Sequence, residues 1–272
     1  MYKEFYHLKE NPFNVTSDPH FLYMSKRHKE ALASLIYGIE ERKGFIEITG
    51  EIGTGKTTLC RALLKKLSAK TKTAFILNPR LSGIQFMRAV IDDFGIIVKN
   101  NSKIEMIKAL NQFLIEQLSN GNNVVLIIDE SQNLSKPLLE EIRLLSNLET
   151  EKEKLLQIVL VGQPELKVKL SSPELAQLRQ RIAVRYHILP LEKSDTENYI
   201  SRRLEVAGAE PGSIVWNDDA IDELYNYSKG VPRLMNIVCD RSMLLGYVQE
   251  IKDFHGETII KAISEIENTV LQ

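Results

Sequence analysis

The chain has 272 residues, 43% of them apolar and 26% charged, with 35 basic side chains against 36 acidic ones. That length suits one large domain or a core domain with a smaller companion, and the composition is that of an ordinary folded protein rather than a disordered or fibrous one. A formal net charge of -1 gives no global basic footprint, so wholesale attraction to nucleic acid or anionic lipid is not implied, though a local basic patch is left open.

Cys60 and Cys239 fall on apolar faces of predicted helices, where buried free thiols are usual, and no disulfide framework is suggested. No apolar run approaches the ~20 residues that cross a bilayer, and Met1 to Phe5 lacks the layout of a signal peptide. The expectation is a cytoplasmic protein.

The opening from Phe5 to Tyr23 is rich in aromatics, carries Pro12 and Pro19 and shows no helical period. It is expected to lie extended across the surface of the core with its aromatics in grooves. His7, His20 and His28 lack metal-ligand spacing. A helix is predicted from about Ser25 to Glu41, with Leu32, Leu35, Ile36 and Ile39 on one face.

Residues 44 to 58 read as a buried strand, a glycine-rich loop and the start of a helix. The loop fits G-x-x-x-x-G-K-[ST] at Gly50, Gly55, Lys56 and Thr57, with Gly53 as an extra glycine. Phosphate oxygens must approach the main chain closely, and residues without a Cβ let the loop curl that tightly. The helix that follows points unpaired N–H groups and its positive end at the same anion. Lys56 adds a charge for the β and γ phosphates, and the Thr57 hydroxyl is placed to ligate Mg²⁺. The nucleotide-binding stretch is therefore Gly50, Glu51, Ile52, Gly53, Thr54, Gly55, Lys56, Thr57 and Thr58, built for a nucleoside triphosphate.

A helix through about Leu67, a strand at 73–77, a helix opened by Ser82-Gly83 and another from Ile104 to Leu118 alternate as helices between parallel strands do. Asn123 to Glu130 is a continuous apolar run ending in two carboxylates, as suits a central parallel strand. At its carboxyl end Asp129 is the expected partner of Mg²⁺, through water, and Glu130 the expected base for the attacking water. A helix from about Pro137 to Leu148 and a strand over Leu156–Gln163 follow. The position of Gln163 favours a bond to the γ phosphate or the water over a simple turn before Pro164. Ser172 to Arg181 is expected to be helical and 183–191 a last strand. Arginines at a helix end usually serve its dipole, yet Arg181, just before a core strand, could reach a neighbouring subunit's nucleotide.

From Ser194 the pattern reads as purely helical, with a Ser194/Glu197 capping box and helices at 194–206, 218–228, 231–247 and 257–266. Gly230-Val231-Pro232-Arg233 puts an arginine at a helix N-terminus, where the dipole disfavours it. An anionic partner and a solvated side chain are both compatible with that.

Together these landmarks resemble the AAA+ ATPases, and more closely the ExeA/GspA family of general secretion pathway ATPases. Phe5-Tyr6-x-Leu8-x-x-x-Pro12-Phe13, Asp18-Pro19-x-Phe21-Leu22-Tyr23, Ser25-x-x-His28, Tyr37-Gly38-Ile39, Gly162-Gln163-Pro164-Glu165-Leu166, Gln180-Arg181-Ile182 and Gly230-Val231-Pro232-Arg233 carry the likeness over nearly the whole chain. The resemblance implies an α/β P-loop fold with a central parallel five-stranded sheet and a small helical lid. It divides the chain into a segment and first helix packed on the core (1–43), a nucleotide-binding domain (44–192) and the lid (193–272). By it, Lys56 and Thr57 belong to Walker A, Asp129 and Glu130 to Walker B and Gln163 to sensor 1. Arg181 becomes the arginine finger, with Arg179 and Arg185 as alternatives, Arg233 the sensor 2 residue, and the aromatic opening a flank for adenine.

It further implies ATP and Mg²⁺ as ligands, a homo-oligomer with the finger supplied in trans, and partners in secretion or envelope assembly. The longest members carry a membrane helix and a peptidoglycan-binding domain after the ATPase, whereas this sequence stops soon after the lid, so membrane contact is expected only through a partner. A transposition-type DNA regulator resembling TniB and IstB is the alternative; it requires salt-sensitive DNA binding, and the balanced charge favours secretion.

Overall fold

The computed structural model describes residues 1–77, 79–100, 102–150 and 153–270, except the side chains of 269 and 270. The chain divides into two compact units. One is α/β and holds Lys26–Glu51 and Leu59–Ile188; the other is mainly helical and holds Met1–Ser25, Ile52–Thr58 and the chain from Leu189 onward.

The α/β unit is built on five parallel strands, β1 (Phe45–Gly50), β2 (Thr71–Ile76), β3 (Asn123–Ile128), β4 (Gln157–Gly162) and β5 (Ile182–Ile188), in the order β2-β3-β4-β1-β5. Composition explains that order. β1 and β4 are buried at every residue and β3 at all but the first, as apolar strands covered on both faces must be. The edge strands β2 and β5 interleave exposed and buried positions and carry Lys72 and Arg185.

Phe86, Met87, Val90 and Ile91 of the Gly83–Asp93 helix pack with Met106, Leu110 and Leu114 of Lys103–Ser119 and with Leu126, Ile128, Ile158 and Leu160 of the sheet. The first of these helices starts at a capping box: Gln85 N donates to Ser82 Oγ at 3.4 Å and Ser82 N to Gln85 Oε1 at 2.9 Å. Where a helix was expected over 172–181, the chain forms Pro164–Leu170, a 3₁₀ turn at Pro173–Leu175 and Ala176–Arg181. A proline just after Gln163 starts the first of these at once.

The helical unit contains Lys193–Val206, Asp218–Ser228, Pro232–Gln249 and Gly256–Val270. It is not purely helical. Val215–Trp216 and Asp253–Phe254 form a small parallel pair, and Trp216 stacks on Phe254 with centroids 4.7 Å apart. The first helix is capped two residues earlier than expected, Glu192 N donating to Asp195 Oδ2 at 3.3 Å, so Ser194 is already helical.

The aromatic opening belongs to this helical unit and the Lys26–Glu40 helix to the α/β one. Tyr6, Phe13 and Phe21 are buried with Tyr199, Leu204, Met243 and Phe254. Arg203, itself buried, explains the attachment: its guanidinium donates to Pro12 O and, at 3.0 Å, to Asn14 O, and lies 4.8 Å from the Phe21 ring centroid. A buried cation needs partners, and an extended segment's carbonyls supply them.

Candidate nucleotide site

β3, β4 and β1 are neighbours in parallel register, Ile128 beside Leu160 and Thr49 beside Gly162. Residues far apart in sequence therefore emerge at one carboxyl edge: Gly50 at the end of β1, Asp129 and Glu130 after β3, and Gln163 after β4. Asp129 is buried, its N–H donates to Ile76 O at 2.8 Å, and its Oδ1 accepts from Glu130 N at 2.9 Å. Ser131 Oγ donates to Ile128 O at 2.8 Å and closes the strand end.

Glu130 takes the left-handed conformation, φ 53° and ψ 36°. This costs a non-glycine residue about 1–2 kcal/mol and marks a position that the surroundings over-determine. Gln163 Nε2 donates to its Oε2 at 3.2 Å, so Gln163 and Glu130 are brought together.

A residue that was not singled out in the sequence joins them. Gln132 Nε2 donates to the same Glu130 oxygen, and Gln132 Oε1 accepts from Gln163 N at 3.0 Å. Gly162 makes the approach possible, since a Cβ there would stand 2.9 Å from Gln132 Oε1. Beneath, Lys169 Nζ donates to Gln132 O and, at 2.7 Å, to Leu134 O; burial, and then Lys136, lower its pKa. In sequence Gln132 is only one polar residue in Ser131-Gln132-Asn133, and nothing in its spacing announces this bond.

The loop residues Ile52–Thr58 belong to the helical unit. Gly53 and Gly55 have φ of 81° and 91°, and Thr54 and Lys56 are buried. The helix Pro232–Gln249 begins against this loop. Its N-cap residue is Val231, which has no side chain able to cap, and Pro232 brings no N–H; the Arg233 N–H is satisfied instead by Gly53 O at 3.3 Å. A Cβ on Gly53 would stand 2.6 Å from Arg233 Cβ and 3.1 Å from Val231 Cγ1. The Arg233 backbone thus meets the loop while its side chain stays exposed.

Arg181 sits elsewhere. It precedes β5, at the amino edge of the sheet, and its Nη1 donates to Ser146 Oγ (2.8 Å), Asn147 Oδ1 (2.5 Å) and Arg143 O (3.3 Å) at the carboxyl end of Lys136–Leu145. Arg179 donates to Ser171 O, and Arg185 pairs with Glu47 at 3.3 Å. Among the described residues no three His, Cys, Asp or Glu side chains form a metal cage, and no helix is long and apolar enough to cross a membrane.

Residues 39–170 match the AAA domain. General secretion pathway protein A of Aeromonas hydrophila is 42% identical over 96% of this chain, and the chain spans 48% of that protein's length. Among solved structures, Cdc6p of Pyrobaculum aerophilum matches at a TM-score of 0.69 (19% identity; 90% of this chain, 70% of that one) and the ORC2 protein of Aeropyrum pernix at 0.68 (16%; 94% and 72%). RuvB of Thermotoga maritima, a Holliday junction branch migration motor, matches at 0.59 (17%; 88% and 68%). The phosphate-binding signature on a parallel sheet of this strand order, with carboxylates at its carboxyl edge, agrees with those likenesses: the chain carries an AAA domain and is similar over nearly its whole length to general secretion pathway protein A.

Proposed function

We propose that the chain binds ATP with Mg²⁺, hydrolyses it to ADP and phosphate, and uses the turnover to drive or regulate assembly of a bacterial secretion, pilus or polysaccharide-export system. One observation carries the hydrolytic reading: Glu130 takes left-handed backbone and its carboxylate accepts from the Gln163 amide at the end of the neighbouring strand, on the sheet edge where β1 ends in Gly50. A carboxylate held in place at the carboxyl edge of a parallel sheet suits a base for water, and left-handed backbone in a non-glycine residue is often found at functional positions.

In this reading the loop from Gly50 to Thr58 holds the phosphates, with Lys56 on the β and γ oxygens. The positive φ of Gly53 and Gly55 and the burial of Lys56 fit such a cradle. Thr57 directly, and Asp129 through water, would hold Mg²⁺, which when bound neutralises charge on the phosphate oxygens. Glu130 takes the proton of the attacking water, Gln163 orients it, and Arg233 adds positive charge from the lid. Arg181 of a second copy supplies the finger, so hydrolysis depends on self-association. ADPNP and ADP in the similar Aeropyrum protein support the choice of nucleotide.

The secretion assignment rests on the 42% identity to general secretion pathway protein A. Recruitment to the inner face of the membrane runs through a partner. The balanced charge gives nucleic acid no comparable support. In a test by Glu130→Gln, ATP affinity is expected to stay at the parent value while turnover falls on the order of 10²–10⁴-fold, the share usual for general base catalysis. Turnover at the parent rate would remove Glu130 as the base.

A further inference from the structure

We propose that Gln132 is a positioning residue that sets the orientation of the Glu130 carboxylate. The inference rests on the hydrolytic reading above and deepens it. Gln132 is the hub of the small network at the carboxyl edge: its Oε1 is pinned by the Gln163 N–H at 3.0 Å, and its Nε2 donates to Glu130 Oε2.

An amide pinned at one end cannot swing away, so the donor at its other end acts as a fixed point for the carboxylate. Gln163 Nε2 approaches the same oxygen at 3.2 Å. With two donors on Oε2, the carboxylate is turned so that Oε1 is the oxygen engaged by neither amide. That oxygen receives a proton from water as the new bond forms from the water oxygen to the γ phosphorus and the bond from phosphorus to the bridging oxygen breaks, ADP leaving with the electron pair.

The anchoring extends further. Gly162 leaves the space that Gln132 Oε1 occupies, and Lys169 holds the Gln132 backbone carbonyl. Gln132 therefore ties the end of β4 and the helix Pro164–Leu170 to the end of β3. A shift of that helix on nucleotide exchange would reach Glu130 through one side chain.

Two substitutions separate this role from simple support of the loop. Gln132→Glu keeps the length and the acceptor for Gln163 N but sets a negative charge against Glu130; Gln132→Met keeps the length and removes both bonds. Positioning predicts kcat lowered on the order of 10²-fold in Gln132→Glu and about 10-fold in Gln132→Met, with ATP affinity held within about threefold, because the phosphate loop is untouched. Loop support alone predicts the reverse order, Gln132→Glu near the parent and Gln132→Met impaired and less thermostable. That reversed order, or parent kcat in a folded Gln132→Met, would overturn the proposal; if Gln132→Glu does not fold, Gln132→Met decides alone, a lowered kcat at the parent melting temperature supporting positioning and a lowered kcat with a lowered melting temperature overturning it. Glu130→Gln is assayed alongside. Loss of turnover there with parent kcat in both Gln132 variants refutes only this inference, whereas turnover unchanged in Glu130→Gln refutes the reading beneath it.

Discussion

The close approach between the glycine loop and the start of the helix Pro232–Gln249 makes Gly53→Ala a quantitative test. Two costs add. An alanine at φ 81° enters the left-handed region at about 1–2 kcal/mol. Its Cβ would also meet Arg233 Cβ at 2.6 Å and Val231 Cγ1 at 3.1 Å. Arg233 Cβ is fixed to the helix backbone, so the overlap is relieved only by moving the helix start, about 1–3 kcal/mol more. The sum is about 2–5 kcal/mol. Gly212 supplies the control, because its φ is 75° and a Cβ there meets nothing within 4 Å, so Gly212→Ala carries the conformational cost alone.

The chain's one tryptophan, Trp216, lies in the same unit as Gly53 and Arg233, so urea unfolding followed by its fluorescence reads the relevant unit. Arg233→Gly removes the opposing Cβ, and in a double-mutant cycle with Gly53→Ala the coupling should be about 1–3 kcal/mol, the helix-propensity cost of glycine cancelling. Equal losses in Gly53→Ala and Gly212→Ala, with coupling below about 0.5 kcal/mol, would refute the contact.

Two further outcomes are expected. Burial raises the Glu47 carboxyl above its ordinary 4.5, with Arg185 and Lys167 pulling it back only in part. A raised carboxylate favours the fold below pH 4.5 and loses that contribution as pH rises through the folded value. The melting temperature of Glu47→Gln relative to the parent should therefore climb as pH rises above 4.5, by about 2–4 °C per kcal/mol; a difference flat from acid to neutral pH would discard the argument. Cys60 and Cys239 are both fully buried, and burial raises the Cys239 thiol well above its usual range. Ellman's reagent should find both unreactive in the native protein and two equivalents in denaturant; rapid native labelling of Cys239 would contradict that packing.

Much of the α/β unit was legible because its signals are local. The continuous apolar run that ends in Asp129-Glu130 reads as a covered strand opening onto something polar, and the signature Gly50, Gly55, Lys56 and Thr57 narrows what that is. The helix Pro164–Leu170 was missed because seven residues span under two turns and give periodicity nothing to repeat. The aromatic opening announced burial but not its partner. Its place was decided by Arg203, whose need for acceptors is met by Pro12 and Asn14, 191 and 189 residues away. Gln132 was invisible for a similar reason: it acts through a Glu130 backbone conformation and a space at Gly162 that exist only once β3 and β4 lie side by side.

Strand direction also bears on how a finger arginine could act. β1, β3, β4 and β5 run parallel, so the residues that follow them and the residue that precedes β5 lie at opposite edges of the sheet. β5 is seven residues long, which separates Arg181 from the carboxyl edge by about 20 Å along the strand. An arginine side chain reaches about a third of that distance, so Arg181 cannot touch the water that its own Glu130 would activate. Its guanidinium instead holds the carboxyl end of Lys136–Leu145, the helix that begins just beyond Glu130 and Gln132. If Arg181 serves a nucleotide, that nucleotide belongs to another copy, and releasing Ser146 and Asn147 to reach it would loosen the helix that leads back to Gln132 and Glu130.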